Sequence, residues 1–125
     1  MNFGNKLECA KYLKEKYNVT FLDLLKYKSK EKEYTAEMLN IIKEEYNIFF
    51  KEVASNIDLE YTDINMQKNI KKFEMLLDIF YGNPKQMLKI YIDVFKSKEY
   101  ILLLSKIHKD LPNYLALSIT YYLNK

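Results

Sequence analysis

The side chains that could do covalent or metal chemistry are few. There is one histidine, His108, and one cysteine, Cys9, far apart in the chain. A lone thiol excludes an intramolecular disulfide and a cysteine-based zinc site, and no local nucleophile motif surrounds it. His108 continues the apolar stripe of Ile101 and Leu104, the setting of a half-buried or capping imidazole. Its sharper alternative, a haem ligand, has no second candidate ligand to go with it. The acids Glu44, Glu45, Asp58 and Glu60 lie in charged settings, without the burial that would raise a pKa for acid–base work. Two isolated glycines cannot make a phosphate-cradling loop. This inventory predicts a protein that is not an enzyme and uses no metal or cofactor.

Aromatic side chains are abundant instead: 12 Tyr and 7 Phe, with no Trp. At helical spacing most of them are core. The stretch Phe80-Tyr81-Gly82-Asn83-Pro84-Lys85-Gln86-Met87 stands apart. It holds one of only two glycines and one of only two prolines. Gly82 supplies backbone freedom, Asn83 can cap, and Pro84 suits a first helical position. Gln86, three residues after the cap, completes a loose capping box. Two helices therefore meet at a corner where Ile79, Phe80 and Tyr81 cannot all face one core, while Met87 and Tyr91 leave on one face of the next helix. A cleft of aromatics and deformable Met with a few polar groups is the usual composition of a small-molecule site. The candidate ligand-binding residues are Met75, Ile79, Phe80, Tyr81, Asn83, Met87 and Tyr91.

The elements that must position them are helical. A chain of 125 residues is one domain by length, and so few Gly and Pro leave little turn chemistry for a sheet. Phe3, Leu7, Ala10, Leu13 and Tyr17 fall at helical spacing, and a short Phe21–Leu25 segment opens after Thr20. The charged stretch Lys26 to Glu33 separates these from the main body. Thr35 is placed to cap a long helix with Met38, Ile41, Ile42, Tyr46, Phe49 and Val53 inward. Asn56 to Tyr61 reads as a loop, and Thr62 or Asp63 caps the next helix. Its stripe of Met66, Ile70, Phe73, Leu77 and Phe80 is the clearest in the chain. Beyond the Gly82 corner come a helix with Met87, Tyr91 and Phe95, a shorter one after Ser97 with Ile101, Leu104 and Ile107, and a last one after Asp110-Leu111-Pro112.

Phe80-Tyr81, Met87, the run Asp93-Val94-Phe95-Lys96-Ser97-Lys98-Glu99-Tyr100, and then Leu111, Tyr114, Leu115, Ser118 and Ile119 resemble the pattern of the TipAS antibiotic-recognition domain. There an aromatic pair breaks a helix, a Met follows, then an acidic and aromatic run, then a Leu-rich last helix. The resemblance spans roughly residues 29–124. It implies a globin-like helical fold, here about five main helices plus a mobile N-terminal helical segment that closes over a ligand. The chain then divides into that segment, residues 1–33, and a recognition domain, 34–125. The resemblance also implies ligand recognition around the same corner. Two departures matter: Lys72 stands where the family often has His, and Asn83 stands where members that trap thiopeptides covalently have Cys. Without a thiol there, binding is expected to be reversible.

In that family the domain forms the sensor half of MerR-type transcription regulators, or acts alone to sequester drug. With no room for a winged helix-turn-helix after Met1, a free-standing sensor or a piece of a longer regulator is expected. The expected partner is an apolar small molecule or a cyclic peptide antibiotic, bound by a monomer or homodimer. The alternative is a protein-interaction or homodimerisation module using the exposed aromatic corner. The net charge of +3 comes from lysines interleaved with acids and from no arginine, a pattern that argues against direct nucleic-acid binding. No apolar run approaches a membrane span or a signal peptide. With a single free cysteine, a cytoplasmic location is expected.

Overall fold

Asp63 starts the helix on which most of the other helices pack. Its carboxylate accepts the Asn65 amide N–H at 2.8 Å, filling one of the donors that a helix start leaves unpaired. The computed structural model describes residues 6–18 and 36–125, and among these the chain is all-α, a single domain of six helices with no strand. They are α1 (Lys6–Tyr17), α2 (Ala36–Ser55), α3 (Ile64–Phe80), α4 (Pro84–Phe95), α5 (Lys98–Ser105) and α6 (Leu111–Asn124). Of the two expected caps before α3, Asp63 is the one used. Thr35, the Phe21–Leu25 segment and the Lys26–Glu33 connector lie outside the described residues.

Helix α3 touches α1, α2, α4 and α6. Neighbours on several sides widen its buried arc beyond one stripe: Leu76 and Ile79 are buried along with Met66, Ile70, Phe73, Leu77 and Phe80. Helix α2 lays Met38, Ile41, Ile42, Tyr46, Phe49, Phe50 and Val53 into the same core, with the Phe49 and Phe73 rings stacked at 4.3 Å. Helix α6 packs along α4 and also meets α3 and α5. The Tyr114 hydroxyl reaches the carbonyl oxygens of Asn56 and Leu59 at 2.9 and 2.8 Å, pinning the connection before α3 to the last helix.

Two expectations about elements need correction. Helix α1 is part of the common core rather than a loosely joined segment, since Cys9 and Leu13 are fully buried against the rest. Helix α5 turns only Leu104 inward, whereas Ile101 is 42% exposed and Ile107, 39% exposed, lies past the helix end at Ser105. At about 100° per residue, Ile101, three positions before Leu104, falls about 60° off the buried line. A helix of eight residues covers little more than that line.

Candidate functional site

The corner between α3 and α4 is built from two successive left-handed residues. The Tyr81 and Gly82 amides close the end of α3 on Leu77 O and Asp78 O at 2.9 and 3.0 Å. Gly82 then takes φ 74° and Asn83 φ 48°, after which Pro84 opens α4. Gly meets the first requirement at no cost, and Asn is among the few other residues that tolerate the second. Asn83 caps α4 by position only. Its side-chain amide donates to Gln86 Oε1 at 2.7 Å and makes no bond to the helix backbone, so the expected capping box is replaced by a side-chain clasp.

Inside the corner four tyrosines converge. The Tyr46 and Tyr91 hydroxyls lie 2.7 Å apart, Tyr81 hydrogen-bonds within the same group, and Tyr100 stands close enough for Tyr81 to bear on its ionisation. Phe73 meets Tyr46 and Tyr91 edge-on at 5.4 and 5.5 Å. Tyr91 and Tyr100 flank Phe95 at 5.3 and 5.7 Å. Edge-on and tilted pairs set each positive ring edge against a neighbour's negative face. Burial pushes the Tyr46 hydroxyl far above the ordinary phenol range, and neighbouring Tyr91 and Tyr81 push the same way. Burial also raises Tyr91, with the Tyr46 hydrogen bond opposing. These phenols are neutral donor–acceptor groups rather than acid–base groups at physiological pH.

The seven candidate residues do not form one surface. Ile79 and Phe80 are core, 3% and 1% exposed, because α3 is enclosed on several sides. Both can therefore be buried although their directions differ by about 100°. Met75 lies about 200° round the helix from Phe73, so it packs on the core away from the Tyr46–Tyr91 pair. Tyr81 and Tyr91 do come together, and Asn83 and Met87 share the first turn of α4, where the Met87 amide donates to the Asn83 carbonyl at 3.2 Å. Tyr81 is 36% exposed, and Met87 and Tyr91 are half-buried against the core. Sequence reading missed Tyr46 and Tyr100 as site residues. The available signal was a Tyr within α2's Phe49–Phe50–Val53 stripe, since a buried phenol needs a partner that Phe does not.

Compared with protein-family models, with curated proteins and with solved structures, the chain finds no match. Its chemistry is read from its own geometry. Among the described residues no group of three or more His, Cys, Asp or Glu comes together to hold a metal ion, and no helix is long and apolar enough to cross a membrane.

One other polar centre lies in the core. Glu45, 2% exposed, accepts at Oε2 from the Tyr17 hydroxyl at 2.8 Å, the Tyr12 hydroxyl at 3.1 Å and the Lys16 ammonium at 3.3 Å. Lys16 also lies 5.4 and 5.3 Å from the Tyr12 and Tyr17 ring centroids. Three donors on one oxygen compensate a buried carboxylate that would otherwise be costly, and all three come from α1. Nearby, burial and the Glu45 charge push the Cys9 thiol up to about 12, leaving it protonated and unreactive at neutral pH. An apolar cleft of about 480 Å³, lined by Leu7, Ala10, Lys11 and Lys14, opens on α1.

Proposed function

We infer that this protein recognises large apolar small molecules, of the cyclic peptide antibiotic class, as a reversible cytoplasmic sensor or sequestering domain with no reaction of its own. The observation that carries the reading is the tyrosine corner. Hydroxyls of Tyr46, Tyr81 and Tyr91 are clustered at the edge of an aromatic core; Tyr81 is its exposed rim, and the half-buried Met87 follows in the first turn of α4. An apolar ligand with amide groups would stack on that rim and take its few directed hydrogen bonds from the phenols, the division of labour usual in small-molecule sites. The resemblance to TipAS domains, with their helix-breaking aromatic pair and following Met, supports the same region and a globin-like arrangement of the helices. Asn83 in place of a cysteine keeps binding non-covalent.

A thermal-shift screen against cyclic peptide antibiotics tests the reading. At a free concentration of 100 times Kd, linkage adds about 2.7 kcal/mol, roughly a 5–20 °C rise in Tm. Tyr81→Ala and Met87→Ala should weaken binding more than they lower stability. Phe73→Ala, in the stacked core, should cost about 3–5 kcal/mol of stability. Leu7→Lys, in the α1 cleft, should leave affinity unchanged. A broad panel without any shift on folded protein, or affinity lost only with Leu7→Lys, counts against the corner as the site.

A second reading has its own observation. Helix α5 exposes Ile101, Leu102 and Leu103 by 42%, 64% and 50%, more apolar surface than one short helix leaves in water without a reason. Homodimerisation through α5, rather than through the aromatic corner, is the form of the interaction-module alternative that this surface favours. It requires a sedimentation coefficient that rises with protein concentration and falls to the monomer value in Leu102→Lys.

A further inference from the structure

The hydrogen-bonded phenols of the corner run from the core to the surface. Tyr46 is 8% exposed and Tyr81 36%, and of the four tyrosines only Tyr81 is exposed. The Tyr46 and Tyr91 hydroxyls, 2.7 Å apart, carry two O–H bonds between them and use one on each other. Tyr81 hydrogen-bonds to both, so its phenol oxygen is where the second O–H goes. The setting of the pair is otherwise aromatic. Phe73 meets both rings edge-on at 5.4 and 5.5 Å, and Phe95 lies 5.3 Å from Tyr91 and 5.7 Å from Tyr100.

Tyr81 can leave this arrangement without a change in the fold. Its backbone ends α3, with the amide on Leu77 O at 2.9 Å, and the two positive-φ residues Gly82 and Asn83 carry the chain onward. Phe80, 1% exposed, is the ring that the last turn buries. A change of side-chain rotamer therefore takes the Tyr81 ring off the pair while the backbone stays in place. It leaves a niche open to solvent on one side, with an O–H that has lost its acceptor. A buried donor in that state is costly, so the ring stays in until another acceptor replaces it. A purely apolar group cannot do that. The group that fits is the one displaced: a flat aromatic ring carrying a hydroxyl.

We propose that the Tyr81 phenol is a built-in occupant of a hydroxyaryl niche, and that the ligand enters the corner by placing a phenol of its own on the Tyr46 and Tyr91 hydroxyls. The inference rests on the corner reading and names the group that anchors the ligand there. Turned outward, the Tyr81 ring becomes the rim on which the remainder of a large ligand stacks. Tyr81→Ala then acts in opposite directions on two kinds of ligand. A large ligand loses its stacking ring. A small phenol gains, because its affinity is no longer reduced by the fraction of molecules in which Tyr81 closes the niche.

The test is an NMR titration of the full chain, as parent, Tyr81→Ala and Tyr81→Phe, with 4-methylphenol and with toluene as the same ring lacking the hydroxyl. Tyr81→Ala should show saturable shifts at Tyr46, Tyr91 and Tyr100. It should bind 4-methylphenol at least about tenfold more tightly than the parent or Tyr81→Phe, in which a ring still fills the niche, a change of about 1.4 kcal/mol. Toluene should bind Tyr81→Ala about tenfold more weakly than 4-methylphenol, because it leaves the O–H without an acceptor. Adding Tyr91→Phe should erase that preference. The parent gives a measurement that depends on no variant: excess 4-methylphenol, and not toluene, should move the Tyr81 ring signals toward those of a solvent-exposed tyrosine. The proposal is overturned if folded Tyr81→Ala shows no saturable shift, if toluene acts as well as 4-methylphenol in either protein, or if the parent binds 4-methylphenol as tightly as Tyr81→Ala. A positive antibiotic screen beside a failed phenol titration keeps the corner and removes the niche. Phenol binding beside a silent screen keeps the niche and removes the antibiotic class.

Discussion

Asn83 concentrates the local cost of the corner in one residue. An L-residue at φ 48° sits where Cβ crowds the backbone, a penalty of about 1–2 kcal/mol for most side chains and less for Asn. The return is a sharp reversal into Pro84 and the 2.7 Å clasp to Gln86. Asn83→Ala should therefore destabilise by about 1 kcal/mol, while Asn83→Gly, which relieves the crowding but loses the clasp, should lie within about 0.5 kcal/mol of the parent. Urea denaturation of both variants checks this, and an alanine variant as stable as the glycine one would mean that the left-handed geometry is not held in solution. The corner itself was legible from Gly82 and Pro84, whose backbone chemistry is local. The clasp was not, because a capping box and a side-chain pair between Asn83 and Gln86 use the same spacing and differ only in where the amide points. The Tyr46–Tyr91 pair was illegible for another reason: it joins residues 45 positions apart, a distance over which helical periodicity carries no information.

At the scale of elements, α1 is where reading and structure part most. Its stripe of Leu7, Ala10, Leu13 and Tyr17 is short, and the charged stretch after it suggested a segment that orders only around a ligand. In the structure Leu7 is 79% exposed while Cys9 and Leu13 are buried, so the buried face is rotated from the expected one toward the lone thiol. Three donors from α1 also converge on Glu45 of α2, a polar attachment invisible to a search for apolar periodicity. The expected consequence is that amides of residues 10–17 exchange slowly in the ligand-free protein, with protection approaching that of α3. Lys16→Met should loosen α1 selectively, since it removes the only cation that the described residues bring to a buried carboxylate, while both phenols stay bonded. Rapid exchange throughout α1 in the parent protein would instead return it to the role of a ligand-ordered lid. The Phe21, Leu22 and Leu25 contacts expected of such a lid lie outside the described residues.

For the whole molecule, the helical class and the order of the main helices followed from apolar spacing, because one buried face per helix is what periodicity records. The central place of α3 did not, since burial on several sides blurs a stripe instead of sharpening it. That enclosure has a consequence at high pH. Burial holds Tyr46 and Tyr91 neutral well above the ordinary phenol pKa of 10.0, and raises the Cys9 thiol from 9.0 to about 12. In the unfolded chain the same groups ionise at their ordinary values, so between those values and the native ones the unfolded state binds fewer protons than the native state. The stability these groups contribute is then constant at and below neutral pH and is lost as pH rises past about 9, by up to about 1.4 kcal/mol per pH unit for each group in its window. Cys9 opens the decline and the tyrosines steepen it above about pH 10. Denaturation midpoints measured from pH 7 to 11 should show this two-stage loss, with phenolate absorbance from the core tyrosines appearing only on unfolding. Cys9→Ala lowers stability throughout by truncating a buried side chain, yet should delay the onset of the decline toward pH 10. If midpoints hold level to pH 11, these groups ionise in the native protein and the tyrosine corner is far wetter than its packing indicates; if Cys9→Ala leaves the onset where it was, the thiol is not the group that opens the decline.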